Sequence, residues 1–397
     1  MKVTDIKNGN KLKPLKLSVR ETPHMTIETN LTCNIQCRGC YNLYKTYVKS
    51  LSQIKSDIDV ALQKRNLETI TLLGGEPTLH PHLIEVIHYI KSKNVICEIL
   101  TNGVAFLEDK VDSLLDKIIQ AGLDRIVLHV DIGQSKIHND INTVRHTLFK
   151  KFEKRKIFFS LSTTTYHENK GEISSLMKDF SSYRYFDGIL SILEIFTPNN
   201  FFKDYVPGKN PQLFYEYEHI YEELNIQPTA YIPSSLDDEE ISWLNYFYYF
   251  NTKTQEAMSI SPEYSRLFRR VYRFFAGRHI FGVTTSPWLF PFSFLLTCLV
   301  EISLHPKKFF EMAKLIRRSH WLRHLRFNFI LIQNGPEFNH EKNQIQMCFH
   351  CPDATIRNGK LTPLCAADII NPFPENAAQK EIPKSLYRTI YSHLEQI

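Results

Sequence analysis

The chain has 397 residues, of which 43% are hydrophobic and 23% charged, with a formal net charge of +6. That length suits one large α/β domain with a smaller appended module, and the composition excludes a low-complexity or fibrous protein. The N-terminal segment MKVTDIKNGNKLKPLKLSVRETP has no apolar run of the kind that a signal peptide needs. We therefore expect a cytoplasmic protein, in which its eight cysteines serve purposes other than disulfides.

From residue 25 to 200, apolar β-rich runs alternate with helical patterns. Strands are predicted at MTIET (25–29), TITLL (69–73), VICEILT (95–101), RIVLHVD (125–131), KIFFSLSTT (156–164) and FDGILSILEIF (186–196). Helices are predicted near 51–65, 81–93, 107–121, 139–155 and 170–183. This alternation predicts βαβ units and a parallel sheet, hence an α/β fold with a partial (β/α)6 TIM-type barrel whose function lies at the carboxyl ends of the strands.

Beyond residue 200 the rhythm changes to a predominantly helical segment. Helices are predicted at PQLFYEYEHIYEELN (211–225), LDDEEISWLNYFYYF (236–250) and EYSRLFRRVYRFFAGRHIF (263–281), and a strand at FNFILIQ (327–333). The predicted domains are an N-terminal extension (1–22), the partial barrel (23–200), a helical aromatic and basic segment for substrate or interface (201–340), a cluster-binding module (341–372) and a C-terminal tail (373–397).

Three cysteines form a tight group directly after the first predicted strand. Cys33, Cys37 and Cys40 follow the spacing Cys-x3-Cys-x2-Cys. Three thiolates on one loop can hold three corners of a [4Fe–4S] cubane, which leaves the fourth iron open to an external molecule. A zinc site is the alternative, although structural zinc requires four closed ligands.

A glycine pair follows the second strand in LLGGEPTLHP. Gly74 and Gly75 allow a close backbone approach to a ligand, Glu76 places a carboxylate where an ammonium group could dock, and Pro77 rigidifies the exit. A tight turn is the simpler interpretation of the glycine pair taken alone.

Together these two motifs resemble the radical S-adenosylmethionine (SAM) enzymes. The resemblance implies that the open iron chelates SAM, that Tyr41 helps to seat the adenine and that the Gly-Gly-Glu-Pro motif binds the SAM amino group. It also implies that Asn102 in ILTNG and Asp131 in LHVDIG lie near the ribose and the methionine carboxylate. Many relatives have serine where this chain has His129, which either contacts the ribose or is a satisfied core histidine. The resemblance covers roughly residues 25–200.

A second group of cysteines lies near the C-terminus, with the spacing Cys348-x2-Cys351-x13-Cys365. The sequence between the last two predicts a hairpin that turns at Asn358-Gly359 and brings the third cysteine back to the pair. A structural zinc site completed by Cys298 is one interpretation, and His350 is an alternative fourth ligand.

The same spacing resembles the C-terminal cluster of the GTP cyclase of molybdopterin biosynthesis and, more loosely, the SPASM and twitch modules. This implies an auxiliary [4Fe–4S] cluster. The Gly-Gly terminus of the cyclase is absent from HLEQI, and the middle segment differs, so GTP is not the expected substrate.

The segment around residues 286–327 combines apolar and basic residues. WLFPFSFLLTCLVEISL is at the lower edge of membrane-spanning length and carries Pro291 and Glu301, so it predicts a buried or interfacial helix. The following PKKFFEMAKLIRRSHWLRHLRF interleaves cations with apolar residues, which suits peripheral contact with a membrane surface. The alternative is a soluble helix with its apolar stripe on the barrel. Nucleic-acid binding is not expected, because no recognised module is present.

The predicted function is that of a radical SAM enzyme with an unidentified substrate, either a ribosomal peptide or a lipid. A one-electron reductant such as flavodoxin or ferredoxin would feed the cluster, SAM would split into methionine and a 5′-deoxyadenosyl radical, and that radical would abstract a substrate hydrogen. The alternative is a non-catalytic iron–sulfur or zinc protein for electron transfer or scaffolding. The Gly-Gly-Glu-Pro motif argues against it. No further catalytic side chain is predicted.

Overall fold

The structure is a computed structural model that describes residues 1–38, 40–42, 47–107, 113–134, 140–194, 213–280, 290–320, 322–339 and 344–373. Parts of the predicted elements near 108–112, 195–212 and 281–289, and almost all of the predicted C-terminal tail, lie outside the described residues.

One ten-stranded sheet organises the described chain. Its first six strands are parallel and run in sequence order: β1 (His24–Asn30), β2 (Thr69–Gly74), β3 (Ile96–Thr101), β4 (Arg125–His129), β5 (Phe158–Thr165) and β6 (Phe186–Leu193). The sheet continues past β6 through β10 (Leu325–Gln333), β8 (Ile241–Asn251) and β7 (Ala230–Pro233), with β9 (Ala257–Ser259) paired to β8. Among the described strands β1 and β7 do not pair, so the sheet is an open, partial barrel. The predicted α/β fold is confirmed.

Helices connect the parallel strands and cover the outer face of the sheet. They are α1 (Leu51–Lys64), α2 (Leu83–Ser92), α3 (Leu114–Gln120), α4 (Ile141–Lys154), α5 (Glu172–Phe180) and α6 (Leu213–Leu224). Each forms because apolar residues recur at helical spacing, and in α1 the buried positions are Ile54, Ile58 and Ala61. Ser50 begins α1 as an N-cap that accepts a hydrogen bond from the Gln53 amide. The main core lies between these helices and the sheet.

The helix predicted over residues 236–250 is wrong, because most of this segment forms strand β8, which begins at Ile241. Its side chains alternate between the two faces of the sheet, which is the period of a strand. Tyr246 and Tyr248 enter the main core, whereas Trp243 packs with the second cysteine group and Tyr249 packs against the helices that follow. Aromatic residues fit a pleated surface that is buried on both faces, and here this tertiary setting overrides the helical interpretation. The middle segment therefore contributes strands as well as helices.

The remaining helices of the middle segment are α7 (Pro262–Ala276), α8 (Phe290–Leu304) and α9 (Lys308–Arg318). Helix α8 contacts both α7 and α9. Within the described residues, no helix combines the length and the apolar character that crossing a membrane would require.

The C-terminal module consists of short paired strands that pack beside β1. Strands β11 (Glu337–Asn339) and β12 (Gln344–Gln346) pair with each other, as do β13 (Ala354–Arg357) and β14 (Lys360–Pro363), and α10 (Ala367–Ile370) follows. The predicted Asn358-Gly359 turn is confirmed, and both residues have positive φ angles of 47° and 71°. The Thr26 hydroxyl of β1 donates to the Ala354 carbonyl over 3.0 Å, which attaches this module to the edge of the sheet.

Candidate functional site

The first cysteine group lies on a loop that leaves β1 at its carboxyl end and returns to the same strand. The Leu31 amide donates to the Tyr47 carbonyl over 2.7 Å, and the Lys49 amide donates to the Thr29 carbonyl over 3.1 Å. These bonds close the loop at its base. Its three cysteines, Cys33, Cys37 and Cys40, are half-buried and none is in a disulfide.

The Gly-Gly turn after β2 packs directly onto this cysteine loop. The Gly75 amide donates to the Asn30 carbonyl over 2.7 Å, and the Glu76 amide donates to the Thr32 carbonyl over 2.8 Å. A Cβ atom on Gly75 would lie 2.0 Å from the Thr32 oxygen, and one on Gly74, whose φ is +141°, would lie 2.0 Å from the Asn30 oxygen. The glycines thus permit a close approach between two backbone segments. The sequence had instead led us to predict a close approach between this backbone and a ligand.

Tyr41 and its neighbour bind the same turn from the far end of the loop. The Tyr41 hydroxyl donates to the Gly74 carbonyl over 3.2 Å, and the Asn42 side-chain amide donates to it over 2.7 Å. Burial raises the pKa of Tyr41 well above its usual value. Pro77 begins the short 3-10 turn Pro77–Leu79, where its fixed φ and missing N–H are tolerated.

The Glu76 carboxylate is buried and joins two loops. One of its oxygens accepts from the Thr78 amide and hydroxyl and from the Thr101 hydroxyl, the last over 2.6 Å. The other accepts from the Asn102 amide over 2.8 Å. Burial raises the pKa of Glu76 in spite of these bonds. Each carboxylate oxygen has two lone pairs, and the second oxygen accepts one bond, so it keeps capacity for one further donor.

Asn102 lies at the end of β3, next to the thiols. Its side-chain nitrogen is 2.8 Å from the Asn34 side-chain oxygen and 3.9 Å from the Cys33 sulfur. Its side-chain oxygen accepts from the Val104 amide. The structure therefore brings the predicted Asn102 to the predicted cysteine loop.

Asp131 is fully buried beyond the end of β4. Its carboxylate accepts from the Gly133 amide over 2.8 Å and the Thr164 amide over 2.9 Å, and lies 3.0 Å from His129 Nε2. Burial by itself would raise the pKa of Asp131, but the imidazole of His129 and the two amides lower it to about 2. Asp131 and His129 thus bind each other, and Asp131 attaches the loop after β4 to strand β5.

A clamp that sequence reasoning missed fixes the middle of the cysteine loop. The Arg38 amide donates to the Gly133 carbonyl, and its guanidinium stacks on the Tyr166 ring at 3.9 Å. The same guanidinium contacts Glu168 over 2.7 Å and Glu194 over 3.3 Å. Since these partners follow β4, β5 and β6, the loop is attached across half of the parallel strands. No local signal in the sequence indicates this pairing.

The inner face of the sheet encloses a cavity of about 80 Å³. Its lining runs from His24 and Asp353, near the second cysteine group, to Leu73 and Leu100, immediately before the Gly-Gly turn and Asn102. The cavity lining therefore includes residues next to both groups of cysteines along the chain.

A buried ionic network borders this cavity. Arg125 lies 2.7 Å from Glu98 and 2.9 Å from Asp187, and the Thr71 hydroxyl donates to Glu98. Burial raises the pKa of Asp187 to about 7, although Arg125 opposes the shift. Charged residues inside otherwise apolar predicted strands were the signal that could have identified this network.

The second cysteine group lies where the C-terminal module contacts β8, with Cys348 and Cys351 buried and Cys365 half-buried. The Trp243 indole donates to the Cys348 sulfur over 3.0 Å, and the Arg65 guanidinium donates to the Cys351 carbonyl over 2.9 Å. A hydrogen bond with Cys348 and burial raise the pKa of Cys351, and burial together with Cys351 raises the pKa of Cys365. The structure thus brings the three predicted thiols together.

Of the two proposed fourth ligands of a zinc site, Cys298 lies in a different cluster, and His350 forms a hydrogen bond elsewhere. Cys298 belongs to a separate apolar cluster on α8, together with Phe294 and Met312. His350 bonds through Nδ1 to the Leu17 carbonyl.

The donor set of each group fits an iron–sulfur cluster by its chemistry. Three thiols on one short stretch are the ligands that such clusters use. Among the described residues, no three His, Cys, Asp or Glu side chains converge tightly enough to hold a single metal ion.

The fold and site define an α/β partial-barrel protein with a thiol loop and a Gly-Gly turn joined at the carboxyl edge of a parallel sheet. Residues 27–179 match the family described as the Radical SAM superfamily. This stretch of the chain is therefore similar to the radical SAM domain. Members of this superfamily use SAM and a [4Fe–4S] cluster, and they require a reductant.

Relatives of several activities are similar to parts of the chain. An "S-adenosylmethionine-dependent nucleotide dehydratase" of a Thermoplasmatales archaeon is 26% identical, covering 42% of this chain and 73% of the relative. A "Probable GTP 3′,8-cyclase" of Pyrococcus abyssi is 26% identical, covering 51% and 67%. The Bacillus subtilis "Antilisterial bacteriocin subtilosin biosynthesis protein AlbA" is 24% identical, covering 38% and 35%.

Solved structures show weaker likeness. Streptococcus suis SuiB bound to S-adenosylmethionine aligns with 15% identity and a TM-score of 0.36, covering 50% of this chain and 44% of SuiB. The AdoMet-bound anSMEcpe aligns with 14% identity and a TM-score of 0.38, covering 50% of this chain and 57% of that one. The chain thus spans about half the length of these two structures.

Proposed function

We propose that this protein cleaves SAM reductively at a [4Fe–4S] cluster held by Cys33, Cys37 and Cys40, and abstracts hydrogen from a substrate that enters the cavity of the barrel. The observation that carries the proposal is the attachment of the thiol loop to the Gly-Gly turn, through the bonds from Gly75 to Asn30 and from Glu76 to Thr32. This attachment places the two motifs of the superfamily side by side at the carboxyl edge of the sheet.

When bound, the cluster supplies the electron that splits SAM into methionine and a 5′-deoxyadenosyl radical, which takes a hydrogen atom from the substrate. The residues of the chain bind and orient. Arg38 holds the thiol loop in a fixed position, and the hydrogen bonds of Glu76 do the same for the loop after β3. The reacting groups therefore keep their relative positions during the reaction. Asn102 and Tyr41 present polar groups beside the thiols, and we assign them to SAM binding.

We further propose that Cys348, Cys351 and Cys365 hold an auxiliary [4Fe–4S] cluster at the other end of the cavity. Supporting this, Cys348 and Cys351 are buried, Cys365 is half-buried close to Cys351, and the cavity lining reaches Asp353 beside them. Such a cluster would anchor the substrate or accept an electron from it.

The charge of the cavity lining argues against a nucleoside triphosphate as the substrate. Among its described lining residues Arg125 is the one Lys or Arg, and Glu98 and Asp187 already engage it. A triphosphate would require unpaired cations to replace its hydration. One similar protein is named for GTP cyclisation and another for bacteriocin biosynthesis. The charge of the cavity favours a peptide substrate, as in bacteriocin biosynthesis, over GTP.

Anaerobic reconstitution tests both clusters. We expect about eight irons per chain in the wild type and about four after Cys33→Ala/Cys37→Ala/Cys40→Ala or Cys348→Ala/Cys351→Ala/Cys365→Ala. The first triple variant should release no 5′-deoxyadenosine on reduction with dithionite, whereas the second should still release it. The control is Cys97→Ala/Cys298→Ala, which removes two cysteines outside both groups.

Zinc in place of iron at the first group would contradict the proposal. An electron paramagnetic resonance spectrum of the reduced protein that stays unchanged on adding SAM would contradict it too. The substrate class is read by incubating the reduced enzyme with perdeuterated lipid and perdeuterated peptide fractions separately. Deuterium appearing in 5′-deoxyadenosine identifies the fraction that supplies the hydrogen.

A further inference from the structure

Helices α7, α8 and α9 present an apolar surface to solvent on the side of the barrel. We call it the α7–α9 face and define it by six residues whose exposed fractions lie between 51% and 83%: Phe274, Phe275, Phe292, Leu299, Phe309 and Phe310. Monomeric proteins seldom expose so many large apolar side chains together, and such surfaces mark contacts with another molecule.

The exposure of this face follows from the helix pattern. Helix α8 buries one side through Phe294, Thr297, Cys298 and Glu301. The residues between these positions point away from the protein, although they are just as apolar. A helix that served only the core would carry polar residues on its outer side.

Positive charge surrounds the apolar residues. In residues 262–280 and 290–320 the chain has ten Lys and Arg against three acids. Of the acids, Glu301 is bound by Lys308, and Glu263 lies 3.4 Å from His305. The exposed cations Arg270, Lys307 and Arg317 form no ion pair with another described residue, so they remain available to an anionic partner.

We propose that the α7–α9 face docks on an anionic lipid bilayer and attaches the enzyme peripherally to it. Apolar side chains would enter the boundary of the acyl chains, while Arg270, Lys307 and Arg317 bind lipid phosphates. A second copy of this chain fits the face less well, because a symmetric dimer would oppose the unpaired Arg270, Lys307 and Arg317 with the same cations of the other copy. The inference does not depend on the substrate, nor on either cluster.

Flotation of the purified, full-length holoenzyme with lipid vesicles tests this proposal. We expect binding to vesicles of phosphatidylcholine and phosphatidylglycerol in a 7:3 ratio, and much weaker binding to phosphatidylcholine alone. Binding should fall when the salt concentration is raised to 0.5 M, because exposed charges are then screened. Lys307→Glu/Arg317→Glu should weaken binding to the anionic vesicles on the order of 20-fold or more, since each cation near such a surface contributes about fivefold.

A second variant, Phe274→Ser/Phe275→Ser, should weaken binding to both kinds of vesicle. The matched controls lie elsewhere on the barrel: Lys150→Glu/Lys154→Glu on α4 removes exposed cations, and Tyr215→Ser on α6 removes an exposed aromatic ring. Both controls should float like the wild type. Release of 5′-deoxyadenosine in detergent-free buffer reports that every variant is folded.

Absence of flotation for the wild type with anionic vesicles would overturn the proposal. So would flotation that the face variants leave unchanged. A dimer seen by light scattering that Phe274→Ser/Phe275→Ser dissociates, in a protein that does not float, would assign the face to a second copy instead.

Discussion

At the scale of single residues, the site depends on backbone positions that leave no room for a side chain. Gly75 is the clearest case, because the missing Cβ is what permits the loop after β2 to touch the cysteine loop. Glu76 then binds donors from two further segments, so one short motif positions three loops.

Gly75→Ala should therefore damage the site more than the fold. The new methyl group would lie 2.0 Å from the Thr32 oxygen, which must move together with the thiol loop. A displacement of about 1 Å at a reacting centre can cost about 100-fold in rate, and we expect a loss of that order in 5′-deoxyadenosine release. Gly277→Ala is the control: its φ of +64° makes the change strained, but Gly277 ends α7 far along the chain from the motif. Equal activity in the two variants would contradict this account.

The buried carboxyl group of Glu216 should make the free energy of unfolding depend on pH. It is fully buried on α6, one oxygen accepts from the Gly171 amide over 2.8 Å, and burial raises its pKa from 4.5 to about 7. The folded state then binds more protons than the unfolded state between pH 4.5 and 7, so this carboxyl lowers the free energy of unfolding as the pH rises through that window.

Glu216→Gln should abolish this loss, because the amide cannot ionise. The difference in the free energy of unfolding between variant and wild type should grow by up to about 3 kcal/mol from pH 4.5 to pH 8, as measured by urea denaturation. Glu218→Gln, an exposed position on the same helix, should show no such growth. A constant difference for Glu216→Gln across this range would contradict the raised pKa.

At the scale of elements, the C-terminal hairpin is attached to the sheet by buried charges. The Arg357 guanidinium of β13 lies 2.5 Å from Glu28 of β1 and 2.5 Å from Asp368, and all three side chains are buried. The hairpin packs beside β1, which is the edge strand of the sheet. It covers the outer edge of β1, which would otherwise be exposed.

Arg357→Met should destabilise the protein by about 3–5 kcal/mol, since it leaves two buried carboxylates without a cation. Adding Glu28→Gln should recover part of the loss, because one of those charges is then removed. Lys178→Met, which breaks the surface pair with Glu223, is the control and should leave the denaturation midpoint unchanged. If Arg357→Met behaved like this control, the hairpin would not depend on the charges.

At the scale of the whole molecule, the sheet joins both groups of cysteines. The first group lies at the carboxyl ends of the parallel strands, and the second packs against Trp243 of β8 and the Arg65 guanidinium of α1. Residues next to both groups line the cavity. Strand β8, from the segment expected to be helical, is what brings the second group to the barrel.

Removing iron should therefore unfold the molecule unevenly. Strands β13 and β14 form a two-stranded hairpin, a structure that is marginal by itself, whereas β2–β5 lie inside the parallel sheet. In hydrogen exchange measured by mass spectrometry, the chelated protein should lose protection over residues 344–373 and keep it over β2–β5. Uniform loss of protection, or none over 344–373, would show that the module does not rely on a metal cluster.

The sequence by itself determined the parallel strands and their helices, because period-3.6 and period-2 apolar patterns are local properties of the chain. It also determined the two cysteine groups, whose spacing is a covalent fact, and the first of these groups lies within the residues that match the superfamily.

Only the tertiary structure decided the roles that depend on distant partners. Most of the segment 236–250 became strand β8 (Ile241–Asn251) because apolar side chains cover both of its faces. Arg38 and Arg357 found acidic partners more than a hundred residues away, and the exposed side of α8 was distinguishable from its buried side once α7 and α9 were in place. These outcomes arise from packing between segments, and no local pattern encodes which segments will meet.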